Sequence, residues 1–157
     1  MSLFSRTSIG LIAVGDDLAT CVVRQSPMGV QRRDGPVLRR FLSLSIEEMT
    51  RQLAEVTTPG ARVVLALSNA MGALRPIALT TQSWPKARAE MQRAVPSLFP
   101  LTAEDALLSL MDAAPKQPGG DSESGWLFAT NRQRVDAWRV PIERAMGRSI
   151  DSIIPFH

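Results

Sequence analysis

The sequence predicts an α/β fold (α+β in a stricter vocabulary), and three observations carry that prediction. Segments 7–15 (TSIGLIAVG) and 18–25 (LATCVVRQ) are rich in Ile, Val and Thr and flank Gly15-Asp16-Asp17, the pattern of two strands around a tight turn. Ser45-Ile46-Glu47-Glu48 carries a helix-start signal ahead of apolar residues at helical spacing. From residue 59 onward, strand-length apolar runs alternate with helical patterns, which suits a small sheet with helices packed on one face.

After the opening hairpin, a third strand or a strand pair is expected over 29–43, with turns at Gly29 and at Asp34-Gly35-Pro36. In the helix that follows, Ser45 accepts from a free backbone N–H and Glu48 completes a capping box. Ile46, Met49, Leu53 and Val56 form its apolar face, and Thr57-Thr58-Pro59-Gly60 ends it. That stop marks the seam between a strand-rich part, 1–58, and a small α/β interaction subdomain, 59–157. Residues 61–67 (ARVVLAL) read as a buried strand. Residues 72–79 (GALRPIAL) read as a second strand, and Pro76 confines it to a sheet edge or an irregularity because proline has no N–H to donate. Trp84-Pro85 opens a helix, with Pro85 suited to the first turn and Pro96 and Pro100 ending it. Residues 106–111 fit either helix or strand, and 114–125 (APKQPGGDSESG) read as a polar loop. A strand from Trp126, a helix capped by Asn131, kinked at Pro141 and closed by Gly147, and a last strand over 149–154 complete the chain.

The bulk numbers bound the function class. A chain of 157 residues is the size of one domain or two small subdomains. Such a chain buries about 68–70% of its unfolded surface without needing a staple. The single Cys21 excludes an internal disulfide framework and fits a reducing compartment. The N-terminal apolar run, 9–14, is shorter than a signal h-region, and no apolar stretch approaches the ~20 residues of a membrane span. A cytoplasmic location is expected, with membrane contact only through partners. The net charge of +3 is arginine-based and dispersed, unlike a nucleic-acid footprint.

Candidate chemistry is sparse. Asp16-Asp17 suits a hard cation or, preferably, a polar hairpin turn. Cys21 sits in an apolar strand pattern and reads as core. Glu104-Asp105 has no companion at a suggestive spacing and reads as a turn or helix start. His157 is the only histidine and lies at the terminal position, poorly placed for a triad. No Walker, dinucleotide, zincin or CxxC motif is present, so no catalytic group, cofactor or metal is expected. Arg24, Arg32, Arg33, Arg39 and Arg40 form the densest basic stretch, offset only by Asp34. It reads as a solvated edge or as a seat for an acidic protein partner, with nucleic acid the weakest reading because stacking aromatics are few. Trp126 and Trp138 read as core, whereas Trp84 at a helix start is the best candidate for exposure. Arg75-Pro76-Ile77 on a possible edge suits strand addition.

The order of these features resembles the cytoplasmic actin-like components of pilus and secretion platforms, the pilus-assembly M and secretion L families. The residues that carry this are RVVLALSNAMGALRPIALT, KARAEMQRAVPSLFPLTAEDALL and GWLFATNRQRVDAWRVPIERAMGRSIDSIIP. The resemblance implies that the N-terminal sheet is the start of an actin-like (ribonuclease H-like) domain. It implies that the later region is an inserted subdomain serving protein–protein contacts. It also implies ATP binding, but an actin-like hairpin carries an Asp two residues before its glycine, and here that position is Ala13, so nucleotide binding is not carried over. The expected function is a non-catalytic adaptor that binds inner-membrane platform proteins, with homodimerisation left open. A degenerate actin-like ATP-binding protein and a basic nucleic-acid-binding regulator are the alternatives. Arg75, Pro76, Ile77, Trp84, Arg32, Arg33, Arg39 and Arg40 are the expected protein-binding residues.

Overall fold

The computed structural model describes residues 5–80, 83–112 and 123–156. The chain divides into two compact units, one from residues 1–68 and 136–157, the other from 69–135.

In the first unit, β1 (Arg6–Val14) and β2 (Asp17–Ser26) form the expected hairpin, with Val14 paired to Asp17 across Gly15-Asp16. Gly15 takes a φ of 58°, which a two-residue hairpin turn requires and glycine supplies at least cost. β3 (Gly29–Leu38) pairs antiparallel with β2. α1 (Ile46–Ala54) starts where Ser45 Oγ accepts the Glu48 N–H at 3.2 Å. β4 (Arg62–Ser68) then pairs parallel with β1. The unit is completed by β8 (Ser152–Phe156), parallel to β4, giving the order β3-β2-β1-β4-β8.

This pairing corrects the expected seam at 58/59. Strands β4 and β8 belong to the first sheet because β4 pairs parallel with β1 and β8 with β4, and a parallel partner can be distant in sequence. One face of the sheet carries Ile9, Leu11, Ala13, Leu18, Thr20, Val22, Val63, Leu65 and Leu67, all buried. The opposite face is less covered. Val14 and Val37 are 49% and 48% exposed there, and Ile154 is 46% exposed.

The turn expected at Gly35-Pro36 is instead a bulge inside β3. The register jumps from Ala19↔Val37 to Cys21↔Asp34, so Gly35 and Pro36 together oppose Thr20. Thr20 Oγ1 donates to the Pro36 carbonyl at 2.8 Å. A Cβ on Gly35 would lie 2.3 Å from Thr20 Oγ1 and 2.5 Å from Val56 Cγ1. The extra residue shifts the side-chain phase, which turns Leu38 into the core opposite Leu18. Beyond it the chain makes a short 3-10 turn, Phe41–Ser43. The buried Phe41 ring stacks on Trp138 with centroids 5.7 Å apart and planes 7° apart.

In the second unit, β5 (Gly72–Leu79), β7 (Glu123–Asn131) and β6 (Ala106–Asp112) form an antiparallel sheet in the order β5-β7-β6. Residues 106–111 are therefore strand, their ladder supplied by β7. The polar stretch 114–125 lies outside the described residues up to 122, and its last three residues begin β7. α2 (Trp84–Leu98) lays Ala87, Met91 and Val95, four residues apart, into a core with Leu79, Phe99, Ala106, Leu127 and Ala129. Pro85 sits in its first turn as expected, but Pro96 does not end the helix, which continues to Leu98.

α3 (Arg132–Met146) begins where Asn131 Oδ1 accepts the Gln133 N–H at 2.8 Å. It runs through Pro141 and ends before Gly147, whose φ is 65°. Val135, Trp138, Ile142 and Ala145 are buried along one side.

Candidate protein-binding surfaces

The basic stretch divides into three groups with different work. Arg39 and Arg40 hold the end of the hairpin. Arg39 Nη1 donates to Asp17 Oδ2 at 2.5 Å and the Arg40 N–H to Asp17 Oδ1 at 2.9 Å, while the Phe41 N–H reaches the Asp16 carbonyl at 2.8 Å. Arg40 adopts a left-handed φ of 48° to do this. The Arg40 backbone N–H, and then the Arg39 guanidinium, hold the Asp17 carboxyl below the usual carboxylate range. Arg32 is committed to Asp34 two residues on, at 2.8 Å.

Arg24 and Arg33 have no acidic partner among the described residues, and both are exposed. With Val22, Gln31, Arg32 and Thr58 they line a concavity of about 260 Å³. The register explains the grouping. Val22 opposes Arg33 and Arg24 opposes Gln31, so these four side chains share one face of the hairpin. Arg32 and Asp34 project from the other face. β3 is an edge strand among the described residues, and 29–34 are exposed along their length. Gln31 and Thr58 are the lining residues that sequence reasoning did not single out, and alternation across a hairpin would have found Gln31.

The second expected surface is also an edge. β5 pairs only with β7 among the described residues, and Pro76 stands opposite Trp126, as the missing N–H of proline requires. The triplet Arg75, Pro76 and Ile77 does not share one surface, however. Ile77 packs against the α2 core cluster, Pro76 lies on the opposite face, and Arg75 is exposed with Nη1 on the Leu74 carbonyl at 3.1 Å. Trp126 corrects a sequence expectation. It is 42% exposed, because its neighbours in β7, Leu127 and Ala129, take the helix-covered face and leave Trp126 on the other. Trp138 is buried, as expected. Trp84 begins α2, and the placement of its side chain lies outside what is described.

The remaining candidate groups have structural duties. Asp17 is the hairpin clamp above. Thr102 Oγ1 and Asp105 cap each other's turn, at 2.7 Å to Asp105 Oδ2 and 3.1 Å from the Asp105 N–H, and the Asp105 carbonyl accepts the Arg132 N–H at 2.7 Å. Cys21 is buried, with its sulfur beside Gly10 on the neighbouring strand. Ala13 is fully buried in β1. His157 lies outside the described residues. Among the described residues no cluster of three metal-ligating side chains occurs, and no helix is long and apolar enough to cross a membrane.

No protein-family profile and no curated protein matches the chain. Solved structures do. One is Cyto-EpsL, the cytoplasmic domain of EpsL, an inner-membrane component of the type II secretion system of Vibrio cholerae. The match has a TM-score of 0.56 at 10% identity and covers 97% of this chain and 57% of that one. Another is the PilM-PilN type IV pilus biogenesis complex, with a TM-score of 0.60 at 20% identity, covering 94% of this chain and 47% of that one. The chain thus spans about half the length of the structures it matches. Both neighbours come from the two platform families that the sequence resembles, and at these identities the likeness establishes the architecture: the chain has an actin-like α/β fold.

Proposed function

We propose that this chain is a non-catalytic adaptor of a bacterial pilus or type II secretion platform, acting in the cytoplasm by binding platform proteins. The observation that carries this reading is the fold shared with a protein of the PilM-PilN complex and with the cytoplasmic domain of a secretion component. Two features support it. Each sheet offers an edge among the described residues, β3 in one and β5 in the other, and an open edge is a template for an added strand. At the hairpin turn the Asp17 carboxylate is occupied by the Arg39 guanidinium and the Arg40 N–H.

The test is copurification from a host that carries such a platform. The tagged 157-residue chain brings down inner-membrane platform proteins if the reading is right. Recovery of nucleic acid alone, released steeply as salt rises, overturns it.

The actin-like fold favours a second reading, a degenerate ATP-binding protein. Calorimetry with ATP and Mg²⁺ separates the two, and micromolar binding establishes the second. The buried Ala13 at the position where a phosphate-site carboxylate would stand weighs against it.

A further inference from the structure

We propose that Arg24 and Arg33, with Gln31 between them, form the anion seat of a strand-docking site, and that its occupant is a glutamate-bearing β-strand of a partner protein. The inference rests on the adaptor reading and gives its partner a chemistry.

The floor of the concavity is Val22, which is buried, and its rim is Arg24, Gln31, Arg32, Arg33 and Thr58. No carboxylate lines it. The nearest acid in β3, Asp34, is turned to the other face and occupied by Arg32. The two free guanidiniums are diagonal neighbours on adjacent strands, so their Cβ atoms are about 7–8 Å apart or somewhat less. At that spacing a single carboxylate between them neutralises a mutual repulsion, and planar guanidinium forks match carboxylate oxygens well. The Gln31 amide adds a neutral donor on the same rim.

The concavity adjoins an open edge of the sheet. Residues 29–34 of β3 are exposed and unpaired on their outer side among the described residues. The open edge is short because the bulge at Gly35-Pro36 interrupts it, and Pro36 offers no N–H. A strand added there lies about 4.7–4.9 Å from β3. Every second side chain then falls beside Gln31 and Arg33, on the face that carries the seat. Glutamate at those alternate positions reaches Arg33 directly and Arg24 across Gln31. The side chains between them meet Val30, Arg32 and Asp34. The requirement is thus a periodic one, acid at i and i+2, and not a general attraction to negative charge.

The experiment uses the whole chain, isotopically labelled for NMR, and a synthetic peptide alternating glutamate and valine. The same peptide with lysine for glutamate, inorganic phosphate and phosphatidylglycerol vesicles are the comparison probes. The expected result is perturbation of the backbone amides of 29–34 and of the side-chain Nε–H of Arg24 and Arg33 by the glutamate peptide alone. The double variant R24Q/R33Q should weaken that binding about tenfold, the loss expected for two charge-assisted contacts at an exposed site. Both positions are exposed, and an unchanged circular dichroism melt verifies that the variant folds. Equal binding of the lysine peptide, perturbation confined to 72–79, or unchanged affinity in the double variant overturns the proposal. So does displacement of the peptide by phosphate or by vesicles at comparable concentration, which identifies a free-anion or headgroup site. If platform proteins copurify while the peptide leaves 29–34 unperturbed, the inference fails and the adaptor reading stands. If no platform protein copurifies, the adaptor reading fails.

Discussion

Replacing Gly35 with alanine tests the bulge that fixes both the phase of Leu38 and the length of the open β3 edge. The new Cβ would sit 2.3 Å from Thr20 Oγ1 and 2.5 Å from Val56 Cγ1, whereas comfortable carbon separations are about 3.5–4.0 Å. Both neighbours are buried, Thr20 at 4% and Val56 at 2% exposed, so neither swings into solvent. Overpacking of this kind costs about 1–3 kcal/mol. Moving Thr20 also forfeits its 2.8 Å bond to the Pro36 carbonyl, worth a further ~0.5–1.5 kcal/mol. The sum, about 1.5–4.5 kcal/mol, corresponds to a fall in Tm on the order of 10 °C for a chain of this size. Thermal and urea melts followed by circular dichroism measure it. The double variant G35A/V56A supplies the control. Trimming Val56 removes one of the two overlaps, so the pair should cost less than the sum of its singles. A wild-type Tm for G35A, or strict additivity with V56A, would refute the bulge geometry.

Three other outcomes follow from the geometry. The variant D17N loses the Arg39 ion pair, and because the folded state lowers the Asp17 pKa, that stabilisation is present above the unfolded value of about 3.9 and is lost as pH falls through the folded one. The Tm difference between wild type and D17N should therefore narrow below about pH 4, and a constant difference from pH 3 to pH 7 contradicts the clamp. Truncating Phe41 to alanine should cost about 3–5 kcal/mol. Its coupling to Trp138, stacked at 5.7 Å, should appear as about 0.5–1.5 kcal/mol in a double-mutant cycle, and additivity of the two truncations denies the stack. Cys21 is buried, so a thiol reagent should label the native chain slowly and the urea-unfolded chain completely. Rapid stoichiometric labelling of the native chain would place the thiol at the surface.

Local signals in the sequence translated into structure where the physics is local. Gly15, Ser45, Asn131 and Gly147 each answer to the backbone conformation or N–H group beside them, and each sits where expected. Pro76 confined β5 to a sheet edge or an irregularity, and among the described residues β5 lies at an edge. Readings failed where a distant partner decides. Gly35-Pro36 has turn chemistry, but pairing with β2 and contact with Val56 convert it to a bulge. The expected seam after residue 58 fails because β4 is claimed by β1 and β8. Trp126 looks like core by composition, and only the choice of which β7 face α2 covers leaves it exposed. The basic stretch was visible, but not its division. The Asp17 clamp removes Arg39 and Arg40 from it, and strand alternation separates Arg32 from Arg33.

The parallel pairing of β4 with β8 also sets an order of events during synthesis. Val63 and Asp151, which exchange hydrogen bonds at the start of that pairing, are 88 residues apart. At a translation rate of ~5–20 residues per second, β8 emerges roughly 4–18 s after β4. The unit 69–135 is continuous in sequence and is complete on the ribosome before the first sheet is. Through that interval the nascent first sheet presents β4, with Val63, Leu65 and Leu67, as an unpaired edge. Ribosome-associated chaperones that shield such an edge would therefore act on this chain chiefly in the window between its sixty-eighth and its hundred-and-fifty-second residue.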